Sequence, residues 1–502
     1  MFLAEQLVKD RHFTLELRLI VPLCFINCQG GPDLPTTARR AQSARRSLYQ
    51  RYRQRIEVNG DLNRSLVSYR LNRQRPFYRW LKYKEGFSAA LVEYLVDHVG
   101  LSGGCLLDPF AGTGAALMTG REKGLEGLGI ELLPVGVKAI QARLAADDVD
   151  PEVFRTECEA FRAGRWKVRP RKAHAFPHLK ITDGAFAADT QQQLNRFRTY
   201  LAETQLSSET RALLDLACLS VLESISYTRK DGQYLRWDHR APRNRKGTAF
   251  HKGDISTFDQ AMQEQLQRML DDLTSATAGR RRPPHQASVK VLEGSCLDLL
   301  PTLPDSQADL VITSPPYCNR YDYTRTYALE LAFLGVDEDH LKRLRQTLLS
   351  CTVENRSKVE QLRAQYQRRG NRHLLENAWE AFENQAALQE ALSRLDALGK
   401  EGRLNNNNVP RMVRNYFVES AVVIFELARI VKQGGHVALV NDNVQYGGEE
   451  VPVDLILCEL ARAAGFKTRR IWVLPRGKGN SSQQMGRHGR KELRKCVYLW
   501  QR

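Results

Sequence analysis

The sequence contains no uninterrupted apolar run of about 18 residues, so no transmembrane helix is expected. Its ten cysteines include no CxxC pair, and the closest spacing is Cys24 to Cys28. That excludes a zinc ribbon and a disulfide framework and fits reduced thiols in a cytoplasmic protein. The histidines are scattered, and no metal centre is expected. No internal repeat is visible. The apolar stretch LRLIVPLCFINC (17–28) is preceded by charges of both signs, and no small-x-small cleavage site follows closely. A short buried strand or an ill-placed start is expected there rather than an export signal.

What is present is a chain of 502 residues, 42% of them apolar. That is material for two to four domains and excludes wholesale disorder. Lys and Arg number 75 against 57 Asp and Glu, a net charge of +18. A balance this basic points to a polyanionic partner. The charge is unevenly placed. Arg39 to Lys84 holds 14 basic residues against two acids, and Lys467 to Arg502 holds 11 against one. Two basic blocks on a near-neutral body read as a contact surface; the alternative is a pair of solvated arms.

Residues 1–75 form a basic N-terminal region, with Tyr49, Tyr52 and Tyr69 among the arginines. In residues 76–145, Leu91, Tyr94, Leu95 and His98 follow helical spacing. The run Cys105-Leu106-Leu107 then reads as a strand ending in Asp108. A glycine turn follows, then a second strand over 127–131 and a helix over 134–146. This order opens a doubly wound α/β sheet. Residues 146–287 break it with a mostly helical insertion containing a basic, aromatic loop (228–247), closed by an Arg-Pro linker at 280–284. Strands resume in 288–336. A second insertion, 337–411, reads as a helical hairpin with solvated faces and no assigned chemistry, ending in the run Asn405 to Asn408. The final part, 412–502, returns to α/β, with helices over 418–432 and 452–464 and strands over 436–442, 468–474 and 495–500.

Two motifs bear on chemistry. Asp108-Pro109-Phe110-Ala111-Gly112-Thr113-Gly114 ends the first strand and opens a helix. Small residues there let backbone close around a ligand at the switch point of the sheet. The GxGxxG form is incomplete, because Leu117 stands at the third glycine, and no Lys-Ser/Thr follows as in a P-loop. A turn without phosphate-binding features suits a nucleoside ligand that carries no phosphate; a purely structural turn is the alternative. Glu131, ending the second strand, is placed to hold ribose hydroxyls. The second motif, Thr313-Ser314-Pro315-Pro316-Tyr317, follows another strand. Two prolines remove two donors and stiffen the loop, leaving carbonyls and the Ser314 hydroxyl to accept hydrogen bonds beside a flat tyrosine ring.

Together, DPFAGTG and TSPPY resemble the S-adenosylmethionine-dependent amino-methyltransferases of DNA. The resemblance covers about half of the chain, in three pieces, and omits both insertions and the N-terminal block. It implies a Rossmann-like doubly wound methyltransferase sheet with two mostly helical insertions. It implies S-adenosylmethionine held by Asp108, Pro109, Phe110, Ala111, Gly112, Thr113 and Gly114, with Glu131 on the ribose and Asp298 on the adenine amino group. The segment Arg79 to Ser88, with Phe87, resembles the motif near the cofactor's methionine end. It implies catalysis by Ser314, Pro315, Pro316 and Tyr317. Hydrogen bonds to Ser314 and the Pro315 carbonyl would favour a tetrahedral amine nitrogen, and Tyr317 would stack on a flipped base. No Pro-Cys dipeptide occurs, so the ring-carbon route through a cysteine nucleophile is not implied.

Within that family Ser-Pro-Pro-Tyr is more typical of the 4-amino group of cytosine, with the 6-amino group of adenine as the alternative. RNA bases are a further alternative, as is a binding protein that kept the fold without turnover. The expected partner is double-stranded DNA, with no membrane contact and the oligomeric state open. The first insertion is the candidate target-recognition region. Its loop residues Arg229, Lys230, Tyr234, Arg236, Trp237, Arg243, Arg245 and Lys246 mix cations with aromatics, as phosphate contact and base stacking require. Arg476 and Lys478, in a glycine-rich loop, are further candidate contacts. Asn441 to Asn443 could line the pocket or cap the next turn.

Overall fold

The computed structural model describes residues 36–231, 234–243, 250–279, 287–475 and 493–502. Its strands, in chain order, are β1 (Ile56–Val58), β2 (Cys105–Asp108), β3 (Glu126–Glu131), β4 (Thr228–Asp231), β5 (Tyr234–Trp237), β6 (Val289–Glu293), β7 (Ala308–Thr313), β8 (Val431–Asp442), β9 (Val444–Tyr446), β10 (Glu449–Val451), β11 (Lys467–Val473) and β12 (Lys495–Gln501). Eight of them form one sheet in the order β1-β11-β12-β8-β7-β2-β3-β6. β12 pairs antiparallel with both neighbours, and the other pairs in the sheet are parallel. The winding reverses between β2 and β7, the switch point at which such sheets place ligands. β9–β10 and β4–β5 are separate antiparallel hairpins.

Alternation along the strands builds two faces. Leu106, Leu310, Ile312, Ala438 and Val440 face the helices Ala89–Val99 and Ala115–Glu122. Leu107, Val311, Val437 and Leu439 face the helices Val409–Ile430 and Val453–Ala463. Local sequence sets the ends of the first helix. The Ser88 hydroxyl accepts from Leu91 N at 3.2 Å, and Gly100 closes the helix at φ +70°. In helix Val409–Ile430, 18 of 22 residues are buried, as expected of a helix that is apolar on nearly all sides. It begins nine residues before the expected 418, because Pro410 in its first turn starts it directly after the asparagine run. It also stops at 430, since Val431 already pairs with Ala308 in the sheet.

The second insertion differs from the solvated hairpin read from sequence. It forms the helices Glu338–Thr347, Val359–Arg368, Arg372–Glu383 and Ala386–Lys400. Leu362, Tyr366, Leu374, Leu388 and Leu395 pack into the same core as helix Val409–Ile430. Charges at helical spacing marked the outer faces, while the leucines between them needed a nonlocal partner to reveal the inner ones. The first insertion builds a second core from helices Pro151–Arg162, Ala188–Glu203, Ser208–Ile225 and Phe258–Gly279, joined to helix Pro134–Ala145.

The first basic block is folded over its described part. Helix Thr36–Tyr52 buries Leu48 and Tyr52, Arg45 pairs with Glu390 (2.8 Å) and Glu449, and Arg51 pairs with Glu459. Arg75 binds Glu93 and Glu122, and Arg79 binds Asp272, so much of this charge is answered internally. β1 then adds an unanticipated edge strand. Residues 17–28, the 280–284 linker and the loop carrying Arg476 and Lys478 lie outside the described residues, as do Arg245 and Lys246.

Candidate functional site

A cavity of about 830 Å³, counted out to its open mouth, lies at the carboxyl ends of β2, β3, β6 and β7. Asp108, Pro109, Phe110, Ala111, Gly112 and Thr113 form one side, and Glu131, Leu132 and Leu133 another. Gly294, Ser295 and Cys296 follow β6, while Ser314 and Pro316 follow β7. Tyr83, Glu85, Gly86, Phe87 and Asn72 come from the segment before the first helix, and Tyr323 and Thr347 to Leu349 from beyond β7. The lining includes three carboxylates and no Lys, Arg or His. In a chain of net charge +18, such a cavity favours a cationic ligand and disfavours a phosphate.

The glycines of the turn are used for close approach. Gly112 (φ +54°) and Gly114 (φ +80°) occupy the left-handed region. A Cβ on Gly114 would stand 2.8 Å from Ile140. Gly136, in the helix after β3, was not singled out from sequence, yet a Cβ there would lie 2.4 Å from the Gly112 carbonyl. Asp108 Oδ1 accepts from Phe110 N (3.0 Å) and Thr313 Oγ1 (2.6 Å), a bracket across the switch point. Glu131 accepts from Gly112 N (2.6 Å) and Leu133 N (2.7 Å). Burial pushes both carboxyls up to about 7, against the hydrogen bonds that favour their charged forms.

At the second motif, the Ser314 hydroxyl lies 3.2 Å from the Tyr317 hydroxyl and 3.3 Å from the Val440 carbonyl. Donating its one proton to that carbonyl leaves the Ser314 lone pairs to accept from a ligand. Burial, reinforced by the Asp442 carboxylate, holds the Tyr317 phenol well above its ordinary value, so it stays neutral. Asp442 itself pairs with Lys495 at 2.5 Å. Asn443 accepts from Asp454 N at the start of helix Val453–Ala463, and Asn441 donates to the Tyr416 hydroxyl; both are structural. The described cysteines are free, and burial raises the Cys318 thiol beside the motif, consistent with packing.

The structure therefore gathers Phe87, Asp108 to Thr113, Glu131, Ser314 and Pro316 around one cavity. Pro315, Tyr317 and Gly114 belong to the same loops without being among its lining residues. Asp298 is half-buried in the short helix Cys296–Leu299 after β6 and is not among the lining residues, which there are Gly294, Ser295 and Cys296. Sequence reasoning also missed Thr347 to Leu349, which no motif marks. Asn72 had no signal either. Its Oδ1 accepts from Ala89 N and its Nδ2 donates to the Phe87 carbonyl, both at 2.9 Å, fixing the Phe87 wall.

In the basic, aromatic loop of the first insertion the hairpin β4–β5 exposes Arg229, Tyr234 (51% exposed) and Arg236 on one face. Arg229 and Arg236 stand directly opposite each other. Arg236 pairs with Asp231 (3.2 Å) and lies over the Phe250 ring (4.1 Å). Lys230 is a correction. It is 3% exposed and points inward to an ion pair with Glu330, because alternation along β4 turns every second residue to the core. Arg243 stacks on the half-buried Trp237 (4.5 Å) and donates to the carbonyls of Lys180 and Ile181, so it also braces the loop. Among the described residues, no helix is long and apolar enough to cross a membrane.

No protein-family model matches the chain. Curated relatives do. The Type II methyltransferase M.AvaI of Nostoc sp. is 43% identical over 465 residues, covering 91% of this chain and 93% of the relative. The same-named enzyme of Anabaena variabilis matches equally. The Type II methyltransferase M.BsoBI of Geobacillus stearothermophilus is 39% identical over 498 residues, 95% and 94% of the two chains.

Proposed function

The chain belongs to the type II methyltransferases, and from that premise we propose that it methylates the 4-amino group of cytosine in double-stranded DNA. Enzymes of this family act on DNA and use S-adenosylmethionine as methyl donor. The observation that carries the reading is that Ser314 and Pro316 line the same cavity as Asp108 and Glu131. One pocket thus serves both an amine acceptor and a nucleoside.

The cavity fits the cofactor. Three carboxylates without a cation suit a sulfonium, and Gly136 lets its helix pack directly on the Gly112 carbonyl behind the turn. Asp108 and Glu131 would hold it, with Ser295 and Cys296 at its far end. When bound, the cofactor supplies an electrophilic methyl group. The chain's own task is to present the amine. Pro315 and Pro316 stiffen the loop, so the Ser314 oxygen keeps its place at the end of β7. By accepting an amine hydrogen, Ser314 draws the nitrogen lone pair out of ring conjugation and into the line of attack. A base inside a duplex reaches this depth only when flipped, and Tyr317 offers a neutral ring to receive it. The exposed Arg229, Tyr234 and Arg236 would hold the backbone outside.

Incubation with unmodified DNA and methyl-labelled cofactor, followed by digestion to nucleosides, tests the reading. Label in 4-methylaminocytosine is expected. Label in 6-methylaminoadenine would overturn the base assignment, and label taken up by RNA alone would overturn the DNA assignment.

A further inference from the structure

Lys230 lies where a DNA-contacting residue was expected and yet reaches no surface. Its Nζ pairs with Glu330 Oε1, both side chains nearly fully buried at 3% and 1% exposed. The same Nζ sits 4.4 Å from the centroid of the Tyr327 ring. Tyr327 stacks on Tyr83 at 4.9 Å with 17° between the rings, and its hydroxyl donates to Glu85. The Tyr321 hydroxyl donates to Glu85 as well. Tyr83 and Glu85 are cavity wall, and a Cβ on Gly112 would meet the Tyr83 ring at 3.2 Å. The backbone is tied alongside. Lys84 Nζ donates to the Lys230 carbonyl at 2.5 Å, and Glu223 accepts from Lys230 N and Lys82 Nζ, each at 3.1 Å. Burial opposes the charge on Lys230, but Glu330 and Glu223 outweigh it and hold the ammonium protonated.

We propose that Lys230 is a positioning residue: its pair with Glu330 docks the β4–β5 hairpin on the Tyr327–Glu85–Tyr83 wall, so that DNA gripped outside is held in register with the methyl donor inside. The claim rests on the hairpin as a DNA contact. One strand carries both functions by alternation, with Arg229 facing outward and Lys230 inward. The chemistry needs both. Methyl transfer tolerates little misalignment, and a shift of about 1 Å between base and methyl can cost about 100-fold in rate.

The test compares Lys230→Met, Lys230→Arg and the outer-face pair Arg229→Ala with Arg236→Ala in the full chain. Duplex DNA and S-adenosylhomocysteine serve as binding probes, and methyl transfer as the rate. Lys230→Met should lower kcat by about 10- to 100-fold while both dissociation constants stay within about threefold, and Lys230→Arg should recover most of the rate. Should Lys230→Met fail to fold, Glu330→Gln carries the same comparison, because it removes the charge and keeps an acceptor of the same shape. Unchanged kcat, or a loss of binding as large as the loss of rate, would overturn the positioning role. If the outer-face pair leaves DNA affinity unchanged, the hairpin reading fails, and the positioning claim falls with it. If that pair weakens DNA binding but Lys230→Met turns over normally, only the positioning claim falls.

Discussion

The two insertions interrupt the same sheet, are both mostly helical, and are used in opposite directions. The first builds its own core beside helix Pro134–Ala145 and turns a charged hairpin outward. The second merges with the core around helix Val409–Ile430 and sends Thr347 to Leu349 into the cavity wall. Their buried ion pairs follow the same division. Lys230–Glu330 ties the hairpin to a wall of the site, whereas Lys358 binds both oxygens of Glu419 at 2.9 and 3.0 Å. Glu419 also accepts from Ser350, the residue next to that wall. Charge pattern marked a basic, aromatic loop in the first and only solvated faces in the second. What separates them is which face found an apolar partner.

The strongest break falls on the second insertion. Lys358→Met leaves Glu419 buried without its cation, and loss of one partner of such a pair costs about 3–5 kcal/mol. The expected result is a lower denaturation midpoint together with weaker cofactor binding, because Ser350 loses its bond from Lys358 and is left on an uncompensated Glu419. Loss of stability with normal cofactor affinity would show that the 347–349 wall does not depend on this clamp.

Between the insertions stands the reaction centre. Ser314→Ala should lower kcat by about 10²- to 10³-fold, the scale set by removing one group that aligns a reacting centre. Cofactor titration should change far less. Equal loss of both would place Ser314 among the binding groups rather than the catalytic ones.

The cavity also predicts a pH effect. Burial lifts Asp108 and Glu131 to about 7 from their ordinary values of 3.8 and 4.5. Below that range each is largely protonated, and a neutral carboxyl holds a cationic ligand less well. Cofactor affinity should therefore rise with pH through about 7, by up to about tenfold per group, and Glu131→Gln should remove its share. The same shift acts oppositely on the ligand-free fold. A carboxyl raised on folding binds more protons in the native state, so its contribution to stability falls as pH rises from about 4 to about 7. Calorimetry across that window checks the sign.

The smallest effect belongs to the hairpin's outer face. Replacing Arg229 and Arg236 with Ala should weaken DNA binding several-fold and lower the salt slope by about 2 if each meets a phosphate. Cofactor affinity without DNA should stay as it was. An unchanged salt slope would move the DNA contact elsewhere and erase the outward role of the first insertion.

Strand ends and turns were legible because their rules are local. DPFAGTG needs glycine at two left-handed positions, and Glu131 follows a short apolar strand; neither depends on distant residues. Asp298 took its place from motif order, whereas the lining after β6 is Gly294, Ser295 and Cys296, which depends on where the short helix begins. The basic block at 39–84 pointed to a polyanion, and composition could not show that Arg45, Arg51, Arg75 and Arg79 also meet carboxylates from as far away as residue 459.

The sequence by itself determined the α/β pattern, the glycine turn and the serine motif, since each is written within about ten neighbouring residues and driven by backbone sterics and short-range patterning. The tertiary structure alone decided which basic residues face outward, that Lys230 turns inward, and that an insertion without a motif walls the cavity. Those outcomes depend on burial against partners tens to hundreds of residues away. Whether a side chain is paired or solvated is a property of that packing, not of its neighbours in the chain.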